Sequence, residues 1–269
     1  MAQGRIELAP EEIARFHEEG FVVPRYRLPD DVLEEMRQAY DRLIADNSAI
    51  ASDIMLGPHL EKPGAQGVKG SRQWLDFASR PEILDMAEQL IGPDIILWGT
   101  TIFGKPARGG KETPWHQDGD YYPIRPLETL TVWVAIDDAT PENGCMRFIP
   151  GSHKARKIFS HHWEDNDDLT INLVCDGQHF DERGARELIL RAGEISFHDV
   201  YMIHQSGPNR TDARRAAFIV RLMPGRCFYD HKLGEKMAEQ HPTQDYGRRP
   251  LFLLRGQDAC GRNNFTIGH

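Results

Sequence analysis

The chain is short of cysteine, of positive charge and of long apolar runs, and each shortage removes a class of function. Its four cysteines, Cys145, Cys175, Cys227 and Cys260, form no Cys-x-x-Cys pair in 269 residues. They are too few and too scattered for a disulfide framework and are expected as reduced thiols in a cytoplasmic protein. Acidic side chains outnumber Lys and Arg 41 to 32, for a net charge of −9. A phosphate backbone is held by clustered Lys and Arg, so no nucleic-acid partner is expected. No basic block or basic amphipathic helix suggests docking on a membrane surface. The longest apolar stretches, 131–136 and 216–222, are strand-sized, well short of the ~20 residues that span a membrane. Residues 1–12 contain no apolar segment of the secretory type. No internal repeat or low-complexity tract is present. The remaining composition, 40% hydrophobic and 27% charged, is that of a globular protein able to bury a sizeable core. One domain over 1–269 is expected, as a monomer or homodimer.

Along the chain, residues 9–20 read as a helix, with Pro10 at its start, Glu11 and Glu12 in the first turn and Gly20 at its end. A short strand follows at 21–23. Residues 28–31 open a second helix with the stripe Val32, Leu33, Met36, Tyr40, Leu43 and Ile44. Residues 46–73 are rich in Gly, Pro, Ser and Asp and predict a long loop, placed to cover a pocket. Pro81 starts a third helix that ends at Gly92-Pro93. Strands follow at 95–103 and 129–136, the second alternating Thr129, Thr131, Trp133, Ala135 with Leu130, Val132, Val134, Ile136. Pro141-Glu142-Asn143-Gly144 is a turn, and short strands are expected at 145–149, 187–190, 194–197, 201–204 and 213–222. Residues 152–185 read as polar and irregular, and the tail after Leu254 carries no pattern. Several short strands separated by Gly and Pro turns predict a sandwich or barrel.

The candidate chemistry lies in Pro114-Trp115-His116-Gln117-Asp118 and in Tyr201-Met202-Ile203-His204-Gln205-Ser206. Two imidazoles and one carboxylate on one side of a metal leave the other side open, the arrangement suited to non-haem Fe(II). His-x-Asp/Glu occurs five times, at His17, His59, His116, His162 and His179. The first lies on a predicted helix, where i and i+2 do not face each other. Three others lie in loops and read as solvated. His116/Asp118 alone adjoins a strand, between Trp115 and Tyr121-Tyr122. Beyond His204, a hairpin through Gly207-Pro208-Asn209 would bring Arg215 back beside it, where a guanidinium could hold a carboxylate with two parallel hydrogen bonds. Arg214 competes for that role, because a one-residue slip exchanges the faces. His198 and Asp199 read as supports that orient a ligand, and His153 as structural. Lys105, Lys111, Arg125 and Arg221 are candidate contacts for an anionic substrate.

Taken together, His116-Gln117-Asp118, Tyr121-Tyr122-Pro123, residues 131–138, Pro141-Glu142-Asn143-Gly144-Cys145 and Pro150-Gly151-Ser152-His153 resemble the phytanoyl-CoA dioxygenase family. So do His204-Gln205-Ser206-Gly207-Pro208-Asn209 and Arg215, and the resemblance runs from about residue 7 to about residue 225. It implies a mainly β fold with flanking helices around a double-stranded β-helix, a jelly-roll of the cupin-like type. It also implies Fe(II), with 2-oxoglutarate and O2 as cosubstrates and succinate and CO2 as products. By the family pattern His116, Asp118 and His204 are the catalytic metal ligands. Arg215 binds the distal carboxylate of 2-oxoglutarate with Ser206 assisting, and Thr131, Trp133 and Thr101 face the cosubstrate. Halogenating relatives lack the carboxylate, so Asp118 implies a hydroxylase acting on a small organic molecule. The rivals are a cupin-like metalloenzyme that does not use 2-oxoglutarate and a non-catalytic small-molecule binding protein on the same scaffold.

Overall fold

The computed structural model describes residues 4–240 and 244–269, with Tyr121 and Gln240 described by their backbone alone. In chain order the first elements are α1 (Pro10–Glu19), β1 (Phe21–Val22), α2 (Asp30–Asp46), β2 (Ile54–Leu56), α3 (Arg72–Ala78) and α4 (Pro81–Ile91). Next come β3 (Ile95–Lys105), β4 (Thr113–Gln117), β5 (Ile124–Arg125), β6 (Leu130–Ala135), β7 (Met146–Phe148), β8 (His161–Trp163) and β9 (Leu173–Cys175). The last are β10 (Arg186–Leu188), β11 (Ile195–Asp199), β12 (Ile203–Ser206), β13 (Arg215–Pro224), β14 (Phe228–Tyr229), α5 (His231–Gln240) and β15 (Phe252–Arg255).

The first helix begins where the sequence requires it. Pro10 takes the first turn, and the buried Glu12 carboxylate accepts the backbone N–H groups of Ala9 (2.8 Å) and Arg25 (2.7 Å). In α2 the stripe Val32, Leu33, Met36, Tyr40 and Leu43 is buried, as its helical spacing predicts.

Two antiparallel sheets form the jelly-roll. The larger runs β1-β11-β6-β13-β3-β15, with β2 also on β3; the smaller runs β10-β7-β12-β4. Strand alternation sorts the larger sheet into two faces. Leu130, Val132, Val134, Ala216, Phe218, Val220 and Leu222 join Phe16, Met36, Trp74, Ile83 and Met86 of the helices in one core. Trp133, Ala135, Ala217 and Ile219 point the other way, onto Met146, Phe148, Leu188 and Met202 of the smaller sheet's side. The same alternation in β13 puts Arg215 and Arg221 on that interior face, in register with Lys105 and with Gly99 and Thr131 respectively.

Several expectations are corrected. The stretch 46–73 is not one loop: it contains β2, and α3 begins inside it, with Trp74 buried between Phe77 and Phe218. Gly and Pro between short elements hid both. Residues 152–185 hold the β8–β9 hairpin, whose three-residue strands are too short to show a hydrophobic alternation. Strand β15 and helix α5 had no sequence signal assigned to them. His116 lies within β4 rather than before a strand. The hairpin expected to set Arg215 beside His204 does not form. Strand β12 pairs with β4 and β7, whereas β13 pairs with β3 and β6, so the two residues face each other from opposite sheets. The four cysteines are free thiols. Among the described residues no helix is long and apolar enough to cross a membrane.

Candidate metal centre

Strand pairing builds the centre. His204 of β12 lies directly opposite His116 of β4, and directly opposed residues on one face are a sheet's closest side-chain neighbours. Their ring centroids are 4.1 Å apart. At the end of β4 the chain turns into a short 3-10 segment starting at Asp118, which swings that carboxylate back to within 3.8 Å of the His116 Nε2. One donor atom from each of His116, Asp118 and His204 lies within 4.8 Å of the other two, and all three residues are buried.

The donor set is prepared for a cation. His116 Nδ1 donates to the Pro114 carbonyl (2.8 Å) and His204 Nδ1 to the Met202 carbonyl (3.1 Å). That fixes both tautomers and leaves each Nε2 lone pair free for a metal. Burial holds both imidazoles in the neutral form, His204 well below its ordinary range. Burial alone would raise the Asp118 carboxyl; the neighbouring His198 side chain and the Arg221 cation outweigh it and keep Asp118 ionised. Two neutral imidazoles and one carboxylate are the protonation states that metal binding requires. Thr131 donates to Asp118 Oδ2 (3.1 Å), and the His198 Nε2 lies 3.7 Å from the same oxygen. This row follows from register, because Arg221, Thr131 and His198 are successive cross-strand partners on β13, β6 and β11.

A cleft adjoins the triad; Ser206, Thr131, Trp133 and Arg215 line it. Arg215 is only 1% exposed. It donates one hydrogen bond, to the Gly144 carbonyl (2.6 Å), stands over Trp133 with its guanidinium carbon 5.5 Å from the ring centroid, and leaves Nε without a partner. Burial lowers its pKa to about 10, so it stays charged at neutral pH. Among the described residues no carboxylate forms an ion pair with it. A buried cation facing an open cleft is therefore left without a counter-ion, and such a charge calls for an anionic ligand. Lys105 lines the same cleft; burial, and then Arg215, lower its pKa to about 6. Arg214, the competing candidate, points outward and pairs with Asp41 and Asp137.

Thr101 does not line this cleft. It borders an adjoining cavity, where its hydroxyl accepts from Arg221 Nη1 (2.6 Å). Trp115 packs on Phe180 and lines neither space. His153 bonds the His17 carbonyl and ties α1 to the turn after β7. Arg125 is spent on the Tyr122 and Ile124 carbonyls. Met146 and the Gly144 carbonyl were not foreseen. The turn at Gly144 was visible in sequence, but its carbonyl's partner depends on how the two sheets stack.

Comparisons with known proteins give a family and a set of similar folds. The family model for phytanoyl-CoA dioxygenase (PhyH) matches residues 16–217. The peroxisomal phytanoyl-CoA dioxygenase of Homo sapiens is 28% identical over 239 residues, covering 81% of this chain and 69% of that protein. Among solved structures, the apo form of the non-heme monooxygenase ThoJ superposes with a TM-score of 0.68 at 27% identity, covering 91% of this chain and 84% of the other. The epimerase SnoN, in complex with Fe3+, alpha ketoglutarate and nogalamycin RO, superposes at 0.65 with 25% identity, covering 81% and 84%.

Proposed function

The chain belongs to the phytanoyl-CoA dioxygenase (PhyH) family, and from that premise we propose that it is an Fe(II)- and 2-oxoglutarate-dependent hydroxylase of a small organic molecule. Residues 1–269 would work as one domain. The observation that carries the proposal is Arg215, a fully buried guanidinium without a carboxylate partner in the cleft that the triad borders. A dianion with one end at the metal and the other on Arg215 would satisfy both halves of the cleft.

When bound, iron supplies the activation of O2, the oxidative decarboxylation of 2-oxoglutarate to succinate and CO2, and attack on an unactivated C–H. The chain supplies the rest. His116, Asp118 and His204 hold the ion by three positions and leave the remainder open. The Pro114 and Met202 carbonyls and the Thr131 hydroxyl fix those ligands in rotamer and tautomer. Arg215 and Ser206 grip the distal carboxylate of the cosubstrate, and Trp133 keeps that end dry. Water exclusion makes the Arg215 interaction stronger than it would be at a surface.

The test is anaerobic titration of the purified protein with Fe(II) and then 2-oxoglutarate, followed by aerobic product analysis. The expected results are a visible charge-transfer band that needs both components, succinate formation, and a product one oxygen atom heavier than the substrate. A product isomeric with the substrate would replace hydroxylation by epimerisation, the activity named for SnoN. Absence of the band and of succinate would overturn the oxygenase reading.

A further inference from the structure

The cavity that shares His116 and Asp118 with the metal centre has two guanidiniums in its wall, from Arg221 and Arg249. They reach the same place by different routes. Arg221 is on the interior face of β13, opposite Gly99. Arg249 comes from the segment just before β15, and its Nη1 would lie 3.1 Å from a Cβ at position 99. The lack of a side chain at Gly99 thus admits the second guanidinium next to the first. Where β3 and β13 change register between Arg221 and Leu222, Trp98 is left as the extra residue and joins Tyr122 in the interior. The guanidinium carbons of Arg221 and Arg249 stand 6.0 and 5.7 Å from that one indole centroid.

Both cations keep donors that make no hydrogen bond among the described residues. Arg221 donates from Nε to the Tyr122 hydroxyl (2.8 Å) and from Nη1 to Thr101 (2.6 Å), both neutral groups, and its Nη2 is unspent. Arg249 donates from Nη2 to the Gln244 carbonyl, and among the described residues its Nε and Nη1 make no hydrogen bond. Among the described residues neither forms an ion pair with a carboxylate. The one acidic residue lining the cavity is Asp118, which the proposed function commits to the metal. The remaining wall is mixed: Ile54, Leu56 and Phe103 are apolar and Gln66, Asn172 and Gln244 polar, and Phe103 also borders the cosubstrate cleft.

We propose that this cavity selects a substrate carrying an oxyanion, a carboxylate or a phosphonate, held by the unspent donors of Arg221 and Arg249, with its apolar body against Phe103 and the reacting C–H at the triad. Two guanidiniums near one indole, each with donors left over, offer an oxyanion forks of the geometry it accepts. A neutral molecule of the same shape leaves those donors unpaired and is rejected. The proposal rests on the assignment of the neighbouring cleft to iron and 2-oxoglutarate.

The test uses matched aliphatic carboxylates, phosphonates and primary amides on common carbon skeletons. Binding to the anaerobic Fe(II)–2-oxoglutarate protein is measured by calorimetry, and binding to the metal-free protein by thermal shift. Oxyanions are expected to bind at least about 30-fold more tightly than the amides, and the carboxylate and phosphonate arms decide which anion fits. Arg249→Leu should weaken oxyanion binding about 10- to 100-fold while the Kd of 2-oxoglutarate stays within about threefold, and Arg249→Lys should recover part of the loss. Gly99→Ala, which keeps both charges but displaces the Arg249 guanidinium, should lower the preference as well, and covers the case in which Arg249→Leu does not fold. Amides that bind as well as oxyanions, or variants that keep the wild-type preference, would overturn the proposal. If 2-oxoglutarate fails to bind at all, the oxygenase reading fails instead, and the metal-free arm still decides this one.

Discussion

Replacing Arg215 by Met separates folding from function, because the two effects have opposite signs. A guanidinium pushed down from its ordinary range to about 10 by burial carries a penalty of about 3 kcal/mol, at roughly 1.4 kcal/mol per pH unit. Methionine removes that penalty. It also removes the hydrogen bond to the Gly144 carbonyl, which costs about 1.5–3 kcal/mol for a charged donor. The ligand-free variant should therefore be as stable as the parent or up to about 1.5 kcal/mol more stable. For a chain near this size that is a rise in Tm of zero to several degrees, at about 2–4 °C per kcal/mol. Binding moves the other way. Truncating one partner of a desolvated charge pair costs about 2–5 kcal/mol, so the Kd for 2-oxoglutarate should rise from about 30-fold to several thousand-fold. Thermal denaturation with and without Fe(II) and 2-oxoglutarate under argon reads both quantities, because a ligand that binds only the folded state raises Tm with its concentration. The reasoning is refuted if Arg215→Met keeps the parent's 2-oxoglutarate-dependent shift. It is equally refuted if the ligand-free variant loses more than about 5 °C, since Arg215 would then be holding the fold together rather than waiting for an anion.

Three further outcomes follow from the same structure. Asp118→Ala and His204→Ala should each reduce Fe(II) content, measured by elemental analysis after dialysis, to less than about a tenth of the parent's, since each removes one of three donors. Gly144→Ala forces a side chain onto a residue at φ +80 and drives its Cβ into the Gly207 carbonyl. Denaturant titration should show a loss of at least about 1–3 kcal/mol, and the Kd of 2-oxoglutarate should rise too because the carbonyl that holds Arg215 moves. His59 is buried, its Nδ1 against the Thr100 hydroxyl at 2.7 Å, and burial lowers its pKa to about 3. The unfolded chain takes up a proton on this ring near pH 6.5 while the folded one does not, so stability drops as pH falls from about 6.5 toward 3. The slope is about 1.4 kcal/mol per pH unit from this group. Denaturant titrations of His59→Gln between about pH 5.5 and about pH 4.5 should be flatter by that amount, and an unchanged slope would mean that the ring protonates without cost.

The primary sequence was sufficient for features that depend on local chemistry. Pro10 and Gly20 bound a helix whatever it packs against. The alternation in 129–136 assigns Thr131 and Trp133 to one face because strand side chains alternate by two. The triad was legible because two imidazoles and a carboxylate carry their coordination chemistry with them. What no local pattern encodes is which strands become neighbours. His204 faces His116 because β12 pairs with β4, and Arg215 meets the same site from the opposite sheet rather than around a hairpin. The choice of Arg215 over Arg214 is a register decision, made when Ala216, Phe218 and Val220 turn toward the helices and carry the odd-numbered residues inward. Arg249 illustrates the limit most clearly. It lies far along the chain from Arg221 in a segment without periodicity, and only the bare Gly99 position between them, visible once β3 and β13 are paired, brings two like charges to one cavity.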